Sequence, residues 1–361
     1  MAEVKKIKKS QNFLQLSGVL LETNLKLEEG VKGQAWSNKD GKMKDLTCDV
    51  IKKKDFKNPS LLLECEPKDS DGNVIGTYQI GVDFNGIGFG IGAKQFDRET
   101  DKIVDNDNFK GVMTVLNTYV TRKDAKDGEE PTRVFIKSGF LAPNEYANKE
   151  GEFKSYLPTI TTYNVTSSGV PENDICEGSI SGIIRAIKDE VFNDEETGRL
   201  KVDFYFFDSK GETYPVELTV EKDLADDFKD LYENGTSCKI YYDILTRQIG
   251  AKTVTSSNGG FGRREKHTVS GYTVNEYSVF KGEEPFEEES EYFIDKADMK
   301  KAMQSREITI EQKIKDAKDK ADKPKTTKSG GLGNKASKLS EVAENVDDDD
   351  EMMPFWYFSI K

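Results

Sequence analysis

The sequence predicts a mainly β protein: two five-stranded Greek-key barrels in tandem, followed by a helical and acidic C-terminal tail. Two observations carry that expectation. Short segments of alternating apolar and polar residues recur along the chain, as half-buried strands require. In both halves they follow one order, a hairpin, a helix and further strands, while charge-rich and low-complexity composition collects after residue 283.

The second half shows the pattern most plainly. Leu200, Val202, Phe204 and Phe206 alternate with Lys201, Asp203 and Tyr205, the period of two of a strand. Asp208-Ser-Lys-Gly211 supplies turn chemistry, and Tyr214, Val216, Leu218 and Val220 form the second arm of a hairpin. Leu224, Phe228, Leu231 and Tyr232 then recur at helical spacing, and Asn234-Gly235 is a C-terminal stop. Cys238, Ile240, Tyr242 and Ile244 define the next strand. The flanking segments, Ile175 to Val191 and Thr268 to Phe280, supply the outer strands. Two hairpin strands, a short helix and a further strand, with a strand at either end, are the order of an OB-fold.

The first half repeats this architecture without repeating the sequence. Strands are expected at Leu14 to Leu27, Leu46 to Lys54, Leu61 to Glu66 and Tyr78 to Phe84, with a turn at Asp69-Ser-Asp-Gly72. Phe109, Val112, Met113, Leu116 and Val120 are spaced as a helix, and strands open at Val134 and run from Tyr156 to Val165. The expected organisation is a basic arm over 1–12, a first OB-like domain with inserted loops over 13–168 and a second over 169–282. An acidic segment with a solvated helix over 283–323, a flexible linker over 324–345 and an acidic, aromatic interaction tip over 346–361 complete it.

Several chemistries lack their residues. Gly86-Ile-Gly88-Phe-Gly90-Ile-Gly92-Ala-Lys94 has the glycines of a phosphate loop, but Lys94 is followed by Gln95, where a Walker sequence needs Lys followed by Ser or Thr, so a flexible loop is expected. The chain holds 1 His, His267, too few for a histidine metal site or a histidine-based triad with partners in view. Cys48, Cys65, Cys176 and Cys238 form no Cys-x-x-Cys pair and read as small apolar strand residues. No cofactor and no enzymatic activity are expected. No apolar run approaches the ~20 residues of a membrane helix, and the basic first residues lack a signal sequence's apolar core. A cytoplasmic location is expected, the bacterial host's if the protein is phage-encoded.

The formal net charge is −13. Glu283 to Glu291 holds 6 acids and no base, and Glu341 to Glu351 holds 7 acids and no base, so two short segments account for the whole excess. The rest of the chain is near neutral, which leaves room for a basic groove on one face.

The C-terminal segment reads Val346-Asp347-Asp348-Asp349-Asp350-Glu351-Met352-Met353-Pro354-Phe355-Trp356. A polar linker ending in an Asp run and Pro-Phe resembles the acidic tip of bacterial and bacteriophage single-stranded DNA-binding proteins. Arg133 to Val165, with Asn144-Glu-Tyr146 before Lys149-Glu-Gly151, is similar to the distal part of phage-type OB proteins of that group. The resemblance implies barrels that hold single-stranded DNA. It also implies a tip that recruits replication, recombination and repair proteins through Asp347, Asp348, Asp349, Asp350, Pro354, Phe355 and Trp356. Here Trp356-Tyr-Phe-Ser-Ile-Lys361 follows the Pro-Phe, so either Phe355 or the aromatic extension is the docking element.

Single-strand binding needs cations along the backbone and flat rings on which bases stack. In the first barrel Lys52, Lys53, Lys54, Phe56, Tyr146, Lys149, Lys154 and Tyr156 offer both; in the second, Lys201, Tyr205, Lys239, Tyr241, Arg247, Arg263, Arg264 and Lys266 do. Tyrosines on strands also serve cross-strand packing. The expected function is sequence-tolerant protection of single-stranded DNA with tail-borne recruitment. The alternative is a protein–protein adaptor on an OB scaffold that binds nucleic acid only weakly. With DNA as ligand, Lys201, Tyr205, Lys239 and Tyr241 should line one continuous groove.

Overall fold

The computed structural model describes residues 7–37, 41–97, 99–192, 194–249, 252–256, 265–269, 272–321 and 355–356. The first half begins with β1 (Asn12–Thr23), a long hairpin of β2 (Leu25–Ser37) and β3 (Lys42–Lys53), then β4 (Leu61–Cys65) and β5 (Tyr78–Phe84). Short strands β6 (Ile91–Gly92), β7 (Lys94–Phe96) and β8 (Ile103–Asp105) lead to helix α1 (Asp107–Thr118), and β9 (Arg133–Ala147) and β10 (Phe153–Thr162) follow. Pairing runs from β1 to β4 to β5, crosses to β10 in parallel, and returns through β9 to β1. That closed ring of five strands, with a helix between the third and fourth, is an OB barrel.

The second half builds the same ring from β11 (Cys176–Phe192), β12 (Glu195–Phe207), β13 (Thr213–Val220), helix α2 (Ala225–Leu231) and β14 (Ser237–Ile249). After the hairpin β15 (Lys252–Ser256) and β16 (Glu265–Val269), β17 (Tyr272–Gly282) lies parallel to β13 and antiparallel to β14, and β14 returns to β11. Alternation sets the barrel interiors: Leu61, Leu63 and Cys65 are buried on β4, as are Leu200, Val202, Phe204 and Phe206 on β12.

The barrels are joined through β1. Its Asn12–Leu16 half pairs with β11 and its Val19–Thr23 half with β4 along the same edge, so one sheet passes through both rings. The close approach at this seam requires Gly18, where a Cβ would lie 2.3 Å from the carbonyl oxygen of Glu64. Tyr277, buried in the second barrel, donates its hydroxyl to the Pro158 carbonyl of the first at 3.0 Å. Cys65 and Cys176 meet nearby as free thiols, and the Cys176 contact together with burial pushes the Cys65 thiol up. That is the state of an unreactive structural cysteine.

Three local outcomes differ from the sequence reading. The strand expected from Leu14 to Leu27 breaks at Asn24, whose side chain donates to the carbonyls of Asp55 and Asn58 and accepts from the Asp55 amide. The Leu46 to Lys54 strand lies in the inserted hairpin and not in the barrel. The glycine-rich stretch is a 3-10 turn over Ile87–Phe89 followed by β6 on β3, with Gly86 at φ 81° and Gly90 at φ 89° making the bends. Those dihedrals favour glycine on steric grounds.

Helix α3 (Lys296–Ala321) follows the second barrel. The sequence predicts it solvated, yet one stripe docks: Ile294 and Ala302, each 6 % exposed, pack with Met299 and Met303 on Ile183, Tyr205 and Phe207 outside the barrel. Near the chain's end, β18 (Phe355–Trp356) pairs in parallel with Gln34 and Ala35 of β2. Among the described residues, no helix is long and apolar enough to cross a membrane.

Candidate nucleic-acid interface

Beyond the first barrel's rim, β9 and β10 continue as a two-stranded arm, and register assigns its two faces. Tyr146 opposes Lys154 and Asn144 opposes Tyr156, while Glu145 opposes Ser155 and Ala147 opposes Phe153. Opposed residues share a face of an antiparallel pair and neighbours alternate. One face therefore carries Asn144, Tyr146, Lys154 and Tyr156, and the other Glu145, Ala147, Phe153 and Ser155.

Helix α3 binds the second of these faces. Arg306 forks onto both carboxylate oxygens of Glu145 and also donates to the Thr213 carbonyl of the second barrel at 2.5 Å. Ser155 Oγ donates to Glu145 as well, at 3.0 Å. The Arg306 and Glu145 side chains are 11 % and 2 % exposed, so this is a buried, bidentate ion pair. It fixes the arm from behind and leaves the tyrosine face to solvent.

On that open face Tyr146 and Tyr156 are 50 % and 51 % exposed. Their ring centroids are 6.1 Å apart with planes 24° from parallel. Lys154 lies beside them, held 2.9 Å from Glu152, which raises its pKa; Lys149 is exposed at the arm's turn. Two half-exposed, stacked rings with cations at their margin can take up a base by stacking and its phosphate by charge. The remaining first-barrel candidates are divided. Lys54 and Phe56 are exposed, and Lys52 is paired with Glu28 at 2.8 Å. Lys53 is 7 % exposed and paired with Asp83 at 3.1 Å, so it is an internal brace between hairpin and barrel and not an open phosphate contact.

In the second barrel the continuous groove is not formed. Tyr205 is 5 % exposed beneath Ile294 and α3, and its hydroxyl accepts from Arg185 at 2.8 Å. The ring expected to stack on bases is thus part of the small external core. Lys201 sits among acids, 2.9 Å from Glu217 and 3.7 Å from Glu190, beside Arg199, which bridges Glu190, Glu221 and Glu276. A phosphate approaching Lys201 would meet that cluster of carboxylates. Lys239 and Tyr241 do adjoin: Lys239 lies 4.9 Å from the Tyr241 ring centroid, and Glu283 accepts from the Tyr241 hydroxyl at 2.5 Å. That hydrogen bond and the neighbouring lysine hold the Glu283 carboxyl below the usual range.

Arg247 is on β14 and Lys266 on β16 by backbone position. Arg263, Arg264, Asp347, Asp348, Asp349, Asp350 and Pro354 lie outside the described residues, whereas Phe355 and Trp356 form the backbone pairing with β2.

Sequence reasoning missed Phe280 and Lys281, which complete the patch at Tyr241. The Phe280 ring is 6.4 Å from Tyr241, and Lys281 is 5.2 Å from the same ring on the side away from the barrel core. Alternation from buried Tyr277 and Val279 points Phe280 outward, a signal present in the sequence. Arg306 and Glu145 carried no such signal, since their pairing is set by how a distant helix lies on the arm.

The fold and these two surfaces define a tandem OB protein with aromatic, lysine-bearing patches on its strands. The profile of the YorF family matches residues 54–316, and the chain belongs to that family. No curated protein sequence matches it. Among solved structures, the wild-type single-stranded DNA-binding protein of Thermus aquaticus is similar at 9 % identity and a TM-score of 0.40, covering 78 % of this chain and 96 % of its own. A deletion mutant of that protein gives the same identity and TM-score, with 98 % of its own chain covered.

Proposed function

We propose that the protein binds single-stranded DNA without strong sequence preference, as a non-enzymatic protector of exposed strands. The observation that carries this reading is the stacked, half-exposed Tyr146–Tyr156 pair on a braced arm, with Lys149 and Lys154 at its margin. Rings stack on any base, and lysines meet any phosphate. The reading includes the C-terminal tip as a recruiting element for replication, recombination and repair proteins, on the strength of its Asp run and Pro-Phe. Its partners are single-stranded DNA and those proteins, and it calls for no cofactor.

Fluorescence anisotropy with labelled single strands, duplex and RNA at two salt concentrations tests it. Single strands bind best, with affinity falling as salt rises. Tyr146→Ala and Tyr156→Ala each weaken binding by roughly 1 to 3 kcal/mol, with little change in preference among sequences. Equal affinity for duplex, or tyrosine variants that bind as the parent does, would refute the reading. In that case the adaptor alternative, in which the same rings meet a protein, becomes the better account.

A further inference from the structure

We infer that the strand's path does not end on the arm but crosses the seam between the barrels, with Phe13 as the ring at the crossing. The inference rests on the single-strand reading above and adds a route and a residue to it.

The route follows from register. Tyr241 of β14 opposes Ser179 of β11, and Ser179 opposes Phe13 of β1. On the far side of Tyr241 stands Lys281 of β17. Leu14 pairs with Gly139, which brings Phe13 beside Phe140 of β9, and the Phe140 ring lies 5.5 Å from that of Tyr163. The neighbours Leu14, Gly139, Ile180 and Tyr242 all turn inward and are buried, so this transverse row faces outward. Adjacent strands are about 4.8 Å apart, so the row from β17 to β9 spans roughly 19 Å. Phe140, Ala142, Asn144 and Tyr146 then occupy alternate positions of β9, which continues the same face roughly 20 Å along the strand to the arm.

Three rings on this route are well exposed, Phe13 at 43 %, Phe280 at 41 % and Tyr163 at 37 %, while Tyr241 and Phe140 are half-buried. Ser179, between Tyr241 and Phe13, is small but only 9 % exposed, so contact at this point falls to the flanking rings. Exposed aromatics joined into one band over two domains suit a long flexible ligand with repeated flat groups, which a single strand is. Charge limits the track to one side. Lys239 and Lys281 flank Tyr241, whereas the neighbouring row holds Gln15, Glu177 and Asp243, and Glu283 is bonded to Tyr241. Burial and the adjacent Glu177 push the Asp243 carboxyl up. Phosphates therefore run on the lysine side, and stacking contributes more at the seam than charge does.

Photo-crosslinking tests the route. A benzophenone amino acid is placed at position 13, at position 146 as the arm reference, and at position 192 as an off-path control, since Phe192 is 60 % exposed on the distant β11 end. The probe is a labelled oligo-dT of about 30 nucleotides, longer than the ~4 to 16 that one barrel covers. Crosslinking at 13 comparable to 146 and well above 192 is the expected result. Phe13→Ala should keep the parent's melting temperature and weaken the long oligonucleotide at least ~5-fold. Crosslinking at 146 with only the level of 192 at position 13, or unchanged affinity of Phe13→Ala, overturns the crossing and leaves the arm site standing. Loss at every position, with no anisotropy change for the parent, refutes the single-strand reading itself.

Discussion

Arg306→Ala removes the side chain that ties three parts of the molecule together: α3, the arm through Glu145, and the second barrel through the Thr213 carbonyl. With Glu145 2 % exposed, the substitution leaves a buried carboxylate without its cation. Breaking a buried pair from one side costs about 3 to 5 kcal/mol. Because α3 lies outside both barrel interiors, the loss should appear as undocking of the helix and not as collapse of the barrels. The fraction with α3 released should rise by roughly 10² to 10³ or more. Amide hydrogen exchange over residues 296–321 reads this directly, while exchange in β4 and β12 serves as the barrel reference. Glu145→Leu combined with Arg306→Met should recover most of the docking, since replacing both ions with apolar groups removes the orphaned charge. Exchange in α3 that matches the parent in Arg306→Ala, or penalties of the two single changes that simply add, would refute the argument that this pair holds the strap.

Tyr205→Ala should cost about 3 kcal/mol of stability, because it empties the external core under Ile294 and Ala302, while single-strand affinity of the folded fraction stays unchanged. Urea denaturation together with anisotropy decides it, and weakened binding without lost stability would return Tyr205 to the binding surface. Glu283 supplies a pH dependence. Its folded pKa lies below the ordinary 4.5, so its contribution is present above that value and is lost as pH falls through the lowered folded one. Melting temperatures of the parent and Glu283→Gln should accordingly differ at pH 6 and converge toward pH 3, whereas a constant gap counts against the Tyr241 contact. Removing residues 347–361 should leave the barrels folded, strengthen single-strand binding modestly at low salt and abolish partner capture. A pull-down with replication and repair enzymes, alongside anisotropy at two salts, checks both effects.

The barrels were legible because their signal is local. Alternation such as Leu200, Val202, Phe204 and Phe206 survives in any environment that buries one face, and the helix between third and fourth strands announces itself by a change of period. The arm's tyrosines were picked out as rings beside lysines and not by alternation; that Tyr146 and Tyr156 share one face follows from the β9–β10 register. Tyr205 was not: alternation correctly turned it away from the barrel interior, but its burial depends on α3, a segment nearly 100 residues further along the chain. Lys53 misled similarly, since its run with Lys52 and Lys54 looks solvated, whereas its actual partner, Asp83, comes from another strand. The seam was invisible because pairing of β1 with β11 is a choice of edge, which neither strand's own pattern encodes.

Of the two acidic segments, 283–291 is the one whose contacts lie among the described residues. In the first, Glu283 is bonded to Tyr241 and near Lys239, and Glu291 is ion-paired with Lys8, whose ammonium also lies 4.8 Å from the Tyr292 ring centroid. These acids therefore neutralise Lys239 of the second barrel and Lys8 of the N-terminal arm within the chain, and a strand settling there must exchange one set of carboxylates for its own phosphates. Such an exchange releases fewer counterions than contact with bare lysines. The arm bears carboxylates too, and Lys154 is paired with Glu152 at 2.9 Å, but Tyr146 and Tyr156 are 50 % and 51 % exposed whereas Tyr241 is half-buried. A single strand should thus engage the arm first, through its more exposed rings, and the Tyr241 patch second.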